Sequence, residues 1–225
     1  MAVLGVDGWR NRWVGARLEG RSVQLLVLED VTAVLAVPDV ELVAIDMPIG
    51  LSDDGVRACD VVAAKTLAKL GAAGSVFQTP VRAVLATDDY ATARDISRAH
   101  TDPPRAPSAQ AFQLVRAIRQ LDDALGDPPD ERIVEVHPEL AFRALSGEVR
   151  DRKGSARGTV QRLRALRSVM DVEEALVEAP TGVPVIDALD ACAAAWSAAR
   201  LARGEGESVG DDVRDARGRP MRISW

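Results

Sequence analysis

Cysteine is nearly absent from this chain. Cys59 and Cys192 are far apart, and neither has a thiol or histidine partner at ligand spacing. That excludes a Cys/His structural zinc site, and a chain of 225 residues has no need of a disulfide framework. Long hydrophobic runs are also missing, so no segment is expected to cross a membrane. The opening MAVLGVDGW has no basic stretch followed by a long apolar one, so no signal peptide is expected and the chain reads as cytoplasmic. Aromatics make up 4% of the residues, and lysine occurs only at positions 65, 69 and 153. The net charge of −6 argues against a general attraction to nucleic acid.

What is present is enough for a folded core. A hydrophobic fraction of 47% over this length suits one globular domain spanning 1–225. Charge is unevenly spread. Arg143, Arg150, Arg152, Lys153, Arg157, Arg162, Arg164 and Arg167 face only Glu148 and Asp151 in the same stretch. Such a run is either a solvated helix face or a docking place for phosphate.

Apolar runs at 2–7, 12–18 and 22–28 are separated by short turns, which predicts an antiparallel meander. Asp30 is placed to cap a short helix over 30–37. The run 41–46 is apolar on both faces, as a central parallel strand is. Pro48 and Gly50 break the chain there. Helices are then expected at 55–70, 88–99 and 108–125, and the 51–130 region reads as a helical insertion. A strand at 132–136 is followed by helices at 139–146, 156–170 and 184–203, a loop at 204–212 and a short edge strand at 222–225. This order predicts an α/β protein of RNase H-like type: a mixed five-stranded sheet, helices on both faces, and a helical insertion after the fourth strand.

Four aspartates carry the chemistry. Asp7 and Asp46 end apolar strands, while Asp187 and Asp190 share one face of an alanine-rich helix at i, i+3 spacing. In that fold the first and fourth strands are neighbours and the last helix crosses them, so all four acids should converge. Buried together they repel unless a cation intervenes. Mg²⁺ or Mn²⁺ suits an all-oxygen site at Asp7, Asp46, Asp187 and Asp190. Two such ions about 4 Å apart would hold a phosphodiester and an attacking water. Each acid also has a plainer role: a turn at Asp7–Gly8, a cap before Pro48, or favourable placement of Asp187 and Asp190 near a helix N-terminus.

Two further groups are candidates. Glu135, His137 and Glu139 surround a strand end; His137 is placed for proton transfer, and Glu135 is a candidate to complete the metal shell. The segment 75–82 combines Ser75, Thr79 and Arg82, the residue types of an anion clamp, although an ordinary capping loop has the same composition.

Taken in order, GVDGWRNRWV, IDMPIGL, RACD, GSVFQTPVRAVL, SAQAF, EVHPELAFRALSG, the isolated Lys153 and DALDACAAAW cover most of the chain. As a set they resemble domain-of-unknown-function family 429, whose members are labelled predicted RNase H-like nucleases. The resemblance implies an RNase H-like fold, with Asp7, Asp46, Glu135 and Asp187 or Asp190 as site residues. It also gives weight to Ser75, Arg82 and Lys153 as substrate contacts. Where family members tend to have a small or glycine-rich turn after the first aspartate, this chain has Trp9-Arg10-Asn11-Arg12. The acid layout is similar to that of Holliday-junction resolvases.

The expectation is therefore a divalent-metal-dependent nuclease. Catalytic roles fall to Asp7, Asp46, Glu135, His137, Asp187 and Asp190, and substrate binding to Ser75, Arg82 and Lys153. The competing readings are a phosphotransferase or hydrolase acting on a small phosphorylated ligand, and a non-catalytic binding protein. Nucleic acid or such a ligand is the expected partner and a membrane is not. The oligomeric state is left open, with a homodimer among the options.

Overall fold

The computed structural model describes residues 1–69, 71–210 and 212–225. Three strands, β1 (Ala2–Trp9), β2 (Arg12–Glu19) and β3 (Ser22–Leu28), form the expected antiparallel meander. Both hairpins have two-residue turns, a geometry that favours left-handed backbone. Gly20 supplies it in the second (φ 62°) and Arg10 in the first (φ 56°). A short helix α1 (Val31–Leu35) follows, and Asp30 caps it by accepting from the Ala33 amide at 2.8 Å. Strand β4 (Val40–Ile45) then pairs parallel to β1.

Four helices come next: α2 (Ala58–Lys69), α3 (Tyr90–Ala99), α4 (Ala109–Gln113) and α5 (Val115–Ala124). Strand β5 (Ile133–Glu135) joins parallel to β4 and completes a mixed sheet in the order β3-β2-β1-β4-β5. After it come α6 (Pro138–Leu145), α7 (Ala156–Arg167), α8 (Val172–Val177) and α9 (Val185–Ala202). A small second sheet pairs β6 (Ser208–Val209) with β7 (Ile223–Ser224). The arrangement is consistent with an RNase H-like fold.

Several boundaries differ from the sequence reading. The 55–70 helix begins at Ala58, and its expected end at Leu70 lies outside the described residues. The 108–125 helix is interrupted at Leu114. The 156–170 helix stops at Arg167, and α8 follows unforeseen. The expected 204–212 loop contains β6, with Asp211 outside the described residues.

The sheet separates two cores. One contains Leu4, Val6, Trp13, Ile45, Ile118 and Leu121, beneath α1 and α5. The other contains Val3, Ala44, Cys59, Leu67, Phe142 and the alanines of α9. The segment expected as an insertion therefore contributes to both faces, through α2 on one and α5 on the other. Alanine lets α9 lie close to the sheet. A side chain on Gly5 would sit 2.0 Å from the Ala195 amide nitrogen and 2.2 Å from the Ala191 carbonyl, so only glycine fits. Strand alternation then aims the acids. Val3 and Gly5 face α9, so Asp7 faces it too; Ala44 faces α9, and so does Asp46. An amide of Asp46 donating to the Val6 carbonyl (2.8 Å) holds the two strand ends together.

Candidate functional site

The strand ends open onto a cavity of about 580 Å³. Asp7 and Asp46 form part of its floor. The loop around residues 71–79 and the arginine-bearing loop at 150–153 form its sides. Asp7 is buried and uses one oxygen to accept from the Gly8 amide at 2.8 Å. Burial pushes its pKa well above the usual carboxylate range, and the charges of Asp46 and Asp190 push it further. Asp46 is pushed up to about 6, first by burial and then by Asp190, with His137 opposing. Burial also raises Asp187, with Asp190 adding to the effect. Asp190 is raised by burial against the opposing charge of Lys153. The four acids expected to converge do interact electrostatically.

They do not share one surface. Asp187 and Asp190 are not among the residues lining the cavity. Asp190 is 1% exposed and lies behind Lys153, whose Nζ donates to Asp190 Oδ2 at 2.7 Å. Asp190 Oδ1 is buried without a hydrogen-bond partner among the described residues. Burial pulls the Lys153 ammonium down, but Asp190, Asp46 and Asp7 more than offset that and hold its pKa above the ordinary lysine value. Among the described residues, no group of three carboxylate, imidazole or thiolate side chains is arranged as a ready metal shell.

His137 occupies the N-cap position of α6, without a side-chain capping bond, and lines the cavity. Its Nε2 lies 3.2 Å from the Ser75 carbonyl oxygen. A carbonyl only accepts, so Nε2 must carry the hydrogen. In the neutral ring Nδ1 is then the basic nitrogen, and it is buried with no partner among the described residues. Ser75 thus acts on the site through its backbone, and the 75–82 segment reaches the cavity at this end.

Two expected site residues are engaged in ion pairs, one outside the cavity and one at its border. Arg82 is not in the cavity wall. It pairs with Asp122 (2.7 Å) and Asp215, with Asp53 at 3.7 Å. Glu135 borders the cavity, but both its oxygens are engaged. They accept from Arg57 Nη2 at 2.7 Å, from Arg57 Nη1 at 2.8 Å and from the Ile49 amide at 2.7 Å. Its charge is therefore paired with the Arg57 guanidinium and not shared with the aspartates.

Arg57 is the residue the sequence reading passed over. It is 3% exposed and also pairs with Asp60, whose other oxygen accepts from the Thr79 amide at 2.9 Å. This network ties the start of α2 to β5 and to the loop at Thr79. The visible signal was Arg57–Asp60 at i, i+3 on an otherwise apolar helix start. The arginine run also divides. Arg143, Arg150, Arg152 and Lys153 line the cavity, and Arg162 is buried against Glu139. Arg157 and Arg167 make exposed pairs with Asp151 and Glu173.

Comparison with known proteins identifies the family. Residues 5–215 match the family described as "Protein of unknown function (DUF429)". The chain belongs to that family. No curated protein and no solved structure matches it. The DUF429 match spans Asp7, Asp46, His137 and Lys153 of the cavity and Asp190 behind it.

Proposed function

We propose that this chain is a divalent-cation-dependent phosphodiesterase acting on nucleic acid. The observation that carries the proposal is the placement of Asp7 and Asp46. They come from neighbouring parallel strands, meet at the floor of a cavity with a basic wall, and are held above the usual carboxylate range by burial and by repulsion from neighbouring aspartates. A hard dication fits such oxygen donors, and the buried Asp190 Oδ1 beside them lacks a hydrogen-bond partner among the described residues. Mg²⁺ is usually held by one or two carboxylates plus water and substrate phosphate. Asp7 and Asp46 would hold it, so a preformed shell of three side chains is not required. The ion would polarise the phosphoryl group and acidify a bound water.

The remaining roles fall to the chain's own residues. Arg150 and Arg152 lie on the rim and suit contacts to phosphate oxygens. His137 offers Nδ1 as a proton acceptor at the cavity floor. The Arg57–Glu135–Asp60 network holds the loop carrying Ser75 and Thr79, and so orients His137.

The cavity volume supports a second reading. About 580 Å³ lies in the range of a single small ligand and is small for a long duplex. A hydrolase or phosphotransferase of a small phosphorylated ligand uses the same residues. The test is cleavage of single-stranded, duplex, hybrid and branched substrates with Mg²⁺ or Mn²⁺, beside hydrolysis of nucleotides and sugar phosphates. Metal-dependent cleavage lost in Asp7→Asn supports the nuclease. Turnover of the small esters alone supports the second reading. No metal-dependent turnover of any substrate removes both.

A further inference from the structure

The loop that presents Lys153 is clamped far more tightly than an exposed, basic segment requires. Gln161 on α7 accepts from the Arg150 amide (3.1 Å) and the Asp151 amide (2.9 Å), and donates to the Asp151 carboxylate at 2.7 Å. Arg162 donates to the Asp151 carbonyl at 3.0 Å. Thr159 donates to the carbonyl of Lys153 itself at 3.2 Å. Gly158 admits the loop onto the helix, since a side chain there would lie 2.0 Å from the Arg152 carbonyl oxygen. Four positions of α7, Gly158, Thr159, Gln161 and Arg162, thus hold one short segment. The result is a lysine whose stem is half exposed but whose ammonium reaches the fully buried Asp190.

Lys153 also stands between the two halves of the acid cluster. It lines the cavity with Asp7 and Asp46 in front, and binds Asp190 behind. Its charge acts on all four aspartates. The charge balance follows directly. Apart from Asp187, which is partly exposed and lies outside the cavity lining, Asp7, Asp46 and Asp190 carry three negative charges when ionised. The ammonium neutralises one and a single dication the other two. A second dication would leave the cluster positive and would have to displace a bonded ammonium from Asp190.

We propose that Lys153 is the resident cation of this cluster, and that the chain takes up one divalent ion at Asp7 and Asp46 in place of the pair that four acids would otherwise accept. Gly158, Thr159, Gln161 and Arg162 are the positioning residues that deliver it. This rests on the metal-dependent reading above and narrows it.

The test is calorimetric titration of the full chain with Mn²⁺ alone, with the stoichiometry checked by electron paramagnetic resonance. The parent should bind one equivalent. Lys153→Met should bind two, with the first at least about tenfold tighter, because one nearby positive charge is gone. Lys153→Gln should show the same stoichiometry and serves if the methionine variant aggregates. Two equivalents on the parent, or one equivalent of unchanged affinity on both variants, overturns the resident cation and leaves the metal-dependent reading standing. No Mn²⁺ bound by the parent, with no rise in its melting temperature, overturns both.

Discussion

Three groups of buried charge lie on the same protein, and they differ in balance. Around Arg57, a buried guanidinium meets Glu135 and Asp60, and backbone groups satisfy the remaining atoms. A similar set joins the C-terminal segment to α5, where Arg82, Arg217 and Arg219 converge on Asp122. Around Asp7 several carboxylates crowd together, and Lys153 is bonded to Asp190 among them. Matched buried charge holds a structure together but adds little net stability over apolar packing. Unmatched buried charge costs stability and persists where it serves a ligand. The comparison assigns architecture to the first two groups and chemistry to the third.

Asp7→Asn tests the difference most severely. Metal-dependent turnover should fall by at least about a hundredfold, beyond what an outer-shell partner costs. The metal-free variant should melt higher than the parent, because a costly carboxylate has been neutralised. A lower melting temperature in a calorimetric scan would place Asp7 among the architectural charges.

Arg57→Met should do the reverse. It strands Glu135 and Asp60 without a counter-charge and should cost about 3–5 kcal/mol in urea unfolding. The double variant Arg57→Met with Glu135→Leu should recover part of that loss. A single variant as stable as the parent would show that the network is dispensable.

The pH dependence of stability gives a smaller, graded effect. The folded pKa of Asp46 is raised to about 6, above the unfolded value, so between about pH 4 and 6 the folded state binds more protons there. Stability of the metal-free protein should therefore fall as pH rises through that window, and Asp7 extends the fall in the same direction. Added Mn²⁺ should flatten the profile. A metal-free melting temperature that is level from pH 4 to 7 would deny the charge excess.

The least effect is expected at the surface. Arg167 and Glu173 form an exposed pair at 3.6 Å, so Arg167→Ala should cost no more than about 1 kcal/mol. A larger loss would mean that charge on this face matters as much as charge in the interior.

The fold was largely readable because its signals are local. Alternating and continuous apolar runs marked the strands, Asp30 marked a cap, and an alanine-rich stretch marked α9. The interruption at Leu114 and the end of α7 were not readable, since apolar periodicity continues across both. At the site, residues whose direction follows from strand alternation were found: Asp7 and Asp46 are where period-two geometry aims them. The ion pairs of Arg82 and Glu135 were not readable because composition alone does not reveal the partner a charge will meet. Arg57 was overlooked for the same reason.

Local periodicity and strand order along the chain were therefore enough to bring the four aspartates into one region, because helices and strands orient side chains at fixed intervals. The sequence did not show that Asp190 would lie behind a lysine, that Arg82 would turn to Asp215, or that Glu135 would be neutralised by Arg57. Those outcomes depend on pairings between residues up to 133 positions apart. In a low-dielectric interior each buried charge settles on the partner that folding brings within hydrogen-bond reach, and that distance is a property of the packed molecule.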